Sequence, residues 1–314
     1  MSYTVQSQNN TVGRGLIEKV ISSTVTTLPC CVFFFINGIM LFTLRSKTVF
    51  RETCRYILLY NLLFADTVQL AFSQVMYLLA FRVRLAFPLC GVLIMLTILT
   101  TQISPLTLVV MSLERYVAVC YPLRHSTIVT VRNTAVAITV IWAFSLLNIL
   151  MRVFLLLNVS PENLRSLQME GFCSPQAINV NPVSEHYDKA YTYFVFVSAG
   201  VAVVASYVGV TIAARSASTD KTSARKAHKT LLLHLFQLSL SLISAMYNPI
   251  VAAISVGLGL DRVITMRIQI VLYMTVVMLP RCLSALIYGI RDKTIRPILM
   301  YYLCCQKKPT VISN

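Results

Sequence analysis

Seven stretches of this chain are long, apolar and nearly free of charge, and no other feature restricts the fold as strongly. A helix needs roughly 20 apolar residues to cross the hydrocarbon core of a bilayer. Residues 20–44, 85–113, 133–151, 190–214 and 230–260 meet that length without a charged residue. Two more, 56–81 and 268–290, carry one charge each, Asp66 and Arg281. Only 12% of the 314 residues are charged, about half of what a water-facing surface uses, and the mean hydropathy is +0.73. The missing polar surface must meet lipid. The fold class that follows is an all-α membrane protein, a seven-transmembrane helix bundle.

The formal charge is +16, from 27 Lys and Arg against 11 Asp and Glu. In a soluble chain that balance would point to nucleic acid. Here it is better explained by basic residues that flank the spans and mark the cytoplasmic side. With the N-terminus extracellular and the C-terminus cytoplasmic, the inner segments hold 17 basic residues and the outer ones 9. Three regions follow: an extracellular tail at 1–19, the seven-helix bundle at 20–290 and a cytoplasmic tail at 291–314. The first twenty residues lack an apolar core ahead of a small-residue cleavage site, so no cleaved leader is expected. The chain should reside in the plasma membrane as a multi-pass protein.

Of nine cysteines, only Cys90 and Cys173 fall on the outer side of the spans. Two cysteines in an oxidising compartment suggest one disulfide, with two free thiols as the alternative. Asn9 opens a glycosylation sequon in the outer tail; Asn158 opens a second, but it lies against the end of span four with Pro161 following. Several chemistries are disfavoured. The histidines His125, His186, His228 and His234 show no metal-ligand spacing, and no phosphate-binding loop is present. No nucleophile–base pair is evident either, so neither a cofactor nor a metal is expected and the chain does not read as an enzyme.

Span three ends in Glu114-Arg115-Tyr116, with Pro122, Leu123 and Arg124 following. An acid–Arg–Tyr triplet at a helix end, with Pro-Leu-Arg behind it, resembles the signature of rhodopsin-like G-protein-coupled receptors. Cys90, 25 residues before Arg115, stands where that family has its disulfide cysteine. Asn61 to Asp66 resembles its span-two acidic motif, and Trp142 stands where span four carries a tryptophan. Lys226, Lys229, Thr230, His234 and Leu235, with Ser206, Tyr207 and Ile212, are similar to the span-six and span-five motifs of odorant receptors. The run from Leu279 through Tyr288 to Thr294 resembles fish odorant receptors of the 131-2-like group. There are departures. In span seven the Asn-Pro-x-x-Tyr motif reads Ser284-Ala285-x-x-Tyr288, and the span-six proline is Pro249, displaced outward.

The resemblance implies a receptor whose partners are a small-molecule odorant and a heterotrimeric G protein, with a stimulatory, cAMP-raising output. Arg115, held by Glu114 beside it, would be the switch, next to Tyr116. Tyr207 and Tyr288 would meet Arg115 on activation, and His234 would line the inner end of span six. Two other readings stay open: a receptor of the same fold for an endogenous lipid or other small ligand, and a transporter or channel. The spans offer only two deep ionisable groups for a transport path.

Those two groups are functional suspects because a buried ion is costly unless paired. Asp66 lies 10 residues and Arg281 9 residues from the inner ends of spans two and seven, so both sit roughly 14–15 Å deep at 1.5 Å per residue. Ser104 lies at the same level. In many relatives the acid and serine help hold a sodium ion; here Arg281 is expected to replace it, in an intramembrane polar core of Asn37, Asp66, Ser104 and Arg281. The alternative is that Arg281 caps a carbonyl freed by Pro280.

The ligand pocket is expected between Ile94, Thr97, Ile98, Thr101 and Gln102 on span three and Tyr191, Met246, Tyr247, Tyr273 and Met274 on spans five to seven. Phe194 and Phe196 could also face it. Such a lining is apolar with scattered hydroxyls and suits a small neutral or weakly polar molecule. After span seven, Ile295, Ile298, Leu299, Tyr302 and Leu303 recur on one helical face, which should lie on membrane lipid. Cys304 and Cys305 then fall where lipidation is plausible.

Overall fold

A computed structural model describes residues 2–82, 87–158, 182–216, 232, 235–236, 239–244, 246–257, 262–292 and 294–304. Within them the chain is helical apart from short turns and extended residues: α1 (Ser2–Ser46), α2 (Thr48–Glu52), α3 (Cys54–Arg82), α4 (Phe87–Cys120), α5 (His125–Ile128), α6 (Val131–Leu157), α7 (Pro182–Ser216), α8 (Tyr247–Gly257), α9 (Arg262–Leu272), α10 (Leu279–Arg291) and α11 (Arg296–Cys304). Among the described residues six helical segments are long and apolar enough to cross a membrane: Ser23–Ser46, Cys54–Leu79, Pro88–Cys120, Val131–Leu157, Pro182–Ala213 and Arg267–Ile290. The remaining stretch, 230–260, is described only in part, as residues 232, 235–236, 239–244 and 246–257.

The helices end where backbone chemistry tells them to. Lys47 and Thr53 adopt extended backbone on either side of α2. The Oγ1 of Thr130 accepts the backbone N–H of Asn133 and caps α6. Between α9 and α10 the chain opens into a π-helical segment, Tyr273–Met278, just before Pro280. A proline cannot donate to the helical ladder, and a widened turn absorbs that loss; such turns are frequent at functional sites.

Exposure is inverted relative to a soluble bundle. On α6 the large apolar residues Val136, Val140, Leu147, Leu150, Phe154 and Leu157 are exposed, while Thr134, Ser145, Asn148 and Arg152 are buried. Apolar residues face lipid and polar ones face protein, as an environment without hydrogen-bonding solvent requires. Between helices the lipid removes the usual hydrophobic drive, so close packing and side-chain hydrogen bonds must hold the bundle. Helix α4 is the hub, packing on α3, α6 and α7. Its approach to α7 is close at Gly209, where a Cβ would strike the ring of Tyr116.

The largest apolar cluster fills the half of the bundle nearer Arg115 and takes in Met40, Leu58, Leu62, Leu108, Met111 and Tyr288. Ile295, Ile298 and Leu299 of the tail belong to it and are buried. The apolar face expected to lie on lipid is therefore used, in this first part, to close the bundle. The physical reason is Gly289, which lets Leu299 and Met40 come where a Cβ would stand.

Candidate functional site

Helices α3, α4 and α10 bring one residue each to a buried polar centre. Asp66, Ser104 and Arg281 are at most 5% exposed. Arg281 Nη1 lies 2.8 Å from Asp66 Oδ1, and the Ser104 hydroxyl donates to the same oxygen at 2.6 Å. Arg281 Nη2 donates to Ser244 Oγ at 3.4 Å. One carboxylate thus joins spans two, three and seven, and the guanidinium carries the link on to span six. Among the described residues Arg281 thus reaches two side chains, one on span two and one on span six. With a cationic group already on the carboxylate, the residues present do not fit a sodium ion. A cavity of about 10 Å³, room for a single water, adjoins the pair between Leu62, Leu108, Ser241 and Pro280.

A second polar set lies one turn away. Asn61 Nδ2 donates to Thr107 Oγ1 at 2.9 Å, and Trp142 Nε1 donates to Asn61 Oδ1 at 2.9 Å. Asn61 thereby fastens α3 to both α4 and α6. Asn37 is fully buried on α1, and neither atom of its amide meets a hydrogen-bond partner among the described residues.

At the Arg115 end, Arg115 Nε lies 3.3 Å from Glu114 Oε2. His125 Nε2 lies 3.6 Å from the other oxygen of Glu114, a neighbour the sequence reading did not single out. Tyr116 packs edge-on to Tyr121 at 6.0 Å. Tyr207 is half-buried and Tyr288 buried. His234 lies outside the described residues.

Asp292 was also missed. Its Oδ2 accepts from Tyr56 at 3.0 Å and lies 3.7 Å from Arg55 Nη1. Its Oδ1 accepts the backbone N–H groups of Thr294 at 2.9 Å and Ile295 at 3.3 Å. One carboxylate thus starts the turn into α11 and ties it to α3. The signal was available: an acid two residues before a helical turn is a cap or Asx-turn residue.

At the opposite end the expected pocket residues divide. Tyr191 donates to Gln102 Oε1 at 3.2 Å. Tyr247 and Tyr273 meet edge-on at 6.0 Å, and Tyr247 donates to the Gln269 carbonyl at 3.1 Å. Thr97 and Thr101 turn their hydroxyls to the carbonyls of Leu93 and Thr97 on their own helix, which leaves only oxygen lone pairs for anything else. Ile98 is half-buried beside Cys90 and Ile149, Met246 is half-buried, and Met274 packs near Cys30 and Met278. Ile94 is fully buried in the cluster of Cys90, Met95 and Ile149. Phe194 is 63% exposed and faces outward, whereas Phe196 packs on the core.

Arg152 is the larger omission. The uncharged stretch of span four stops at 151, yet α6 continues to Leu157 and buries Arg152 to 7% exposure. Asp188 on α7 pairs with it. Cys90 is disulfide-bonded; Cys173 and Cys305 lie outside the described residues, as do the side chains of Asn9 and Cys304.

Comparison with known proteins fits this arrangement. The profile of the "7 transmembrane receptor (rhodopsin family)" matches residues 36–305. The chain is 31% identical to "Odorant receptor 131-2" of Danio rerio over 307 residues, 95% of this chain and 91% of that one. It is 28% identical to human "Olfactory receptor 4K5" over 146 residues, 46% of this chain and 42% of that one. Human "Olfactory receptor 2A25" is 40% identical over 74 residues, 24% of this chain and 20% of that one. The chain belongs to the rhodopsin family of seven-transmembrane receptors. It is a multi-pass receptor of the plasma membrane, not an enzyme.

Proposed function

We propose that this receptor detects a small odorant-type molecule within the Cys90 half of the bundle and activates a heterotrimeric G protein at the Arg115 end. The N-terminus is then extracellular, the C-terminus cytoplasmic, and the output stimulatory, raising cAMP. The observation that carries this reading is the 31% identity to an odorant receptor along 95% of the chain.

Two ion pairs in the bundle support this reading. A ligand shifts a two-state protein only through its differential affinity for the two states, so the bundle must have contacts that one state keeps and the other breaks. The Arg115–Glu114 pair is one, formed between neighbours on α4, and activation would exchange it for partners on other helices. The Asp66–Arg281 pair is the other, binding spans two and seven. Movement of span seven pulls on Arg281, and through Ser244 on span six.

The test is cAMP in cells that co-express the chain with an olfactory-type stimulatory G protein, screened against an odorant panel with surface expression confirmed. A response that disappears in Arg115→Ala supports the receptor reading. Silence across the panel from protein at the surface counts against an odorant ligand and this G protein.

A further inference from the structure

The buried face of α6 carries more hydrogen-bond donors than the described residues around it answer. Ser145, Asn148 and Arg152 follow at three- and four-residue spacing, so they share one side of the helix. They are 0%, 2% and 7% exposed. Asn148 accepts from the Tyr187 hydroxyl at 2.9 Å through Oδ1, but its Nδ2 has no acceptor among the described residues. Arg152 gives a terminal nitrogen to Asp188 and lays its guanidinium over Tyr187, 5.9 Å from the ring centroid. Its Nε has no partner among the described residues, nor has Ser145 Oγ. A buried donor left unmet is costly, and a ligand oxygen that meets it recovers that cost.

Two further features narrow the ligand. The Arg152 charge is already balanced by Asp188, so an anionic ligand would place a second negative charge in a poorly solvated site. A neutral acceptor supplies lone pairs without that conflict. The cluster also reaches the expected pocket, because Tyr187 stacks on Tyr191 at 6.1 Å and Tyr191 donates to Gln102.

We propose that Asn148 and Arg152 anchor the oxygen of a neutral carbonyl compound, such as a ketone, ester or amide, whose alkyl part extends toward Tyr191 and Gln102. This rests on the receptor reading for there being a ligand at all, but it concerns binding and can be measured without a G protein.

The experiment is thermal denaturation of the purified full-length receptor in detergent with heptanone, heptanoate and heptane. Heptanone is expected to raise the midpoint in a saturable way, with heptanoate and heptane each weaker by about tenfold or more in half-saturating concentration, since a site built to donate discriminates against ligands that do not match it. Asn148→Leu should weaken heptanone by a similar factor. Asp188→Asn should invert the preference towards heptanoate, because Arg152 then lacks its counter-charge. That gain keeps the proposal testable if Asn148→Leu fails to fold. Equal stabilisation by heptane, no shift with heptanone, or an unchanged preference in Asp188→Asn would each overturn the proposal. Saturable heptanone binding without any cAMP response would leave the anchor standing and count against the G-protein reading.

Discussion

Arg281 and Asp66, 215 positions apart in the chain, meet at 2.8 Å inside the bundle with both side chains at most 5% exposed. Their helices run in opposite directions, yet each residue is nine or ten positions from the same end of its span. The pair is therefore a brace between spans two and seven at mid-depth. Removing one member of a buried pair costs about 3–5 kcal/mol, whereas removing both can be close to neutral.

That asymmetry gives the first prediction. Arg281→Ala should lower the thermal midpoint and surface expression more than Arg281→Ala combined with Asp66→Asn. A fluorescence-based melt of the three proteins in detergent checks it. Equal loss in the single and double variants would contradict the pairing, because removing the acid would then relieve nothing.

The Glu114–Arg115 pair is local to α4 and partly exposed, with side chains at 12% and 22%. Pairs of that kind are worth about 1 kcal/mol at most. Glu114→Gln should therefore raise basal cAMP by no more than about fivefold, the factor that energy allows. A cAMP assay without added ligand, normalised to surface protein, reads this directly.

Asp292 holds the start of α11 through two backbone N–H groups and Tyr56. Loss of a capping side chain costs about 0.5–2 kcal/mol. Asp292→Ala should loosen the tail helix, and Tyr56→Phe should do so less because it leaves the cap. Faster amide exchange at 294–304 in Asp292→Ala than in wild type is the expected result.

Gly209 has the Tyr116 ring where its Cβ would be. Gly209→Ala forces α4 and α7 apart or displaces the ring, and overpacking of this kind costs about 1–3 kcal/mol. A lower melting temperature in Gly209→Ala, restored in part by adding Tyr116→Ala, would locate the strain at that contact.

The spans were legible because charges punctuate the apolar runs, although α1 and α7 continue past those charges to begin at Ser2 and Pro182. The same cue misplaced Arg152. A positive charge at the end of an apolar run was read as the lipid boundary, but Asp188 of α7 lets it stay inside. The spacing of Ser145, Asn148 and Arg152 was the better signal, since three polar residues on one face of a membrane helix point to protein. Asp66 and Arg281 could be set at equal depth by counting residues from the span ends. Side-chain bonding could not be counted in this way: nothing in the spacing of Thr97 and Thr101 says that their hydroxyls bond their own helix. Nor did the repeat of Ile295, Ile298 and Leu299 distinguish lipid from bundle, because that depends on the missing side chain of Gly289.

The most direct test of the central claim is nucleotide exchange on a purified stimulatory heterotrimer added to membranes that carry the receptor. It would be measured with a compound active in the cAMP screen, for wild type and Arg115→Ala at equal surface density. A receptor of the kind described should accelerate exchange in a ligand-dependent way and lose that acceleration in Arg115→Ala. Exchange no faster than in receptor-free membranes, or equal acceleration by Arg115→Ala, would contradict the account.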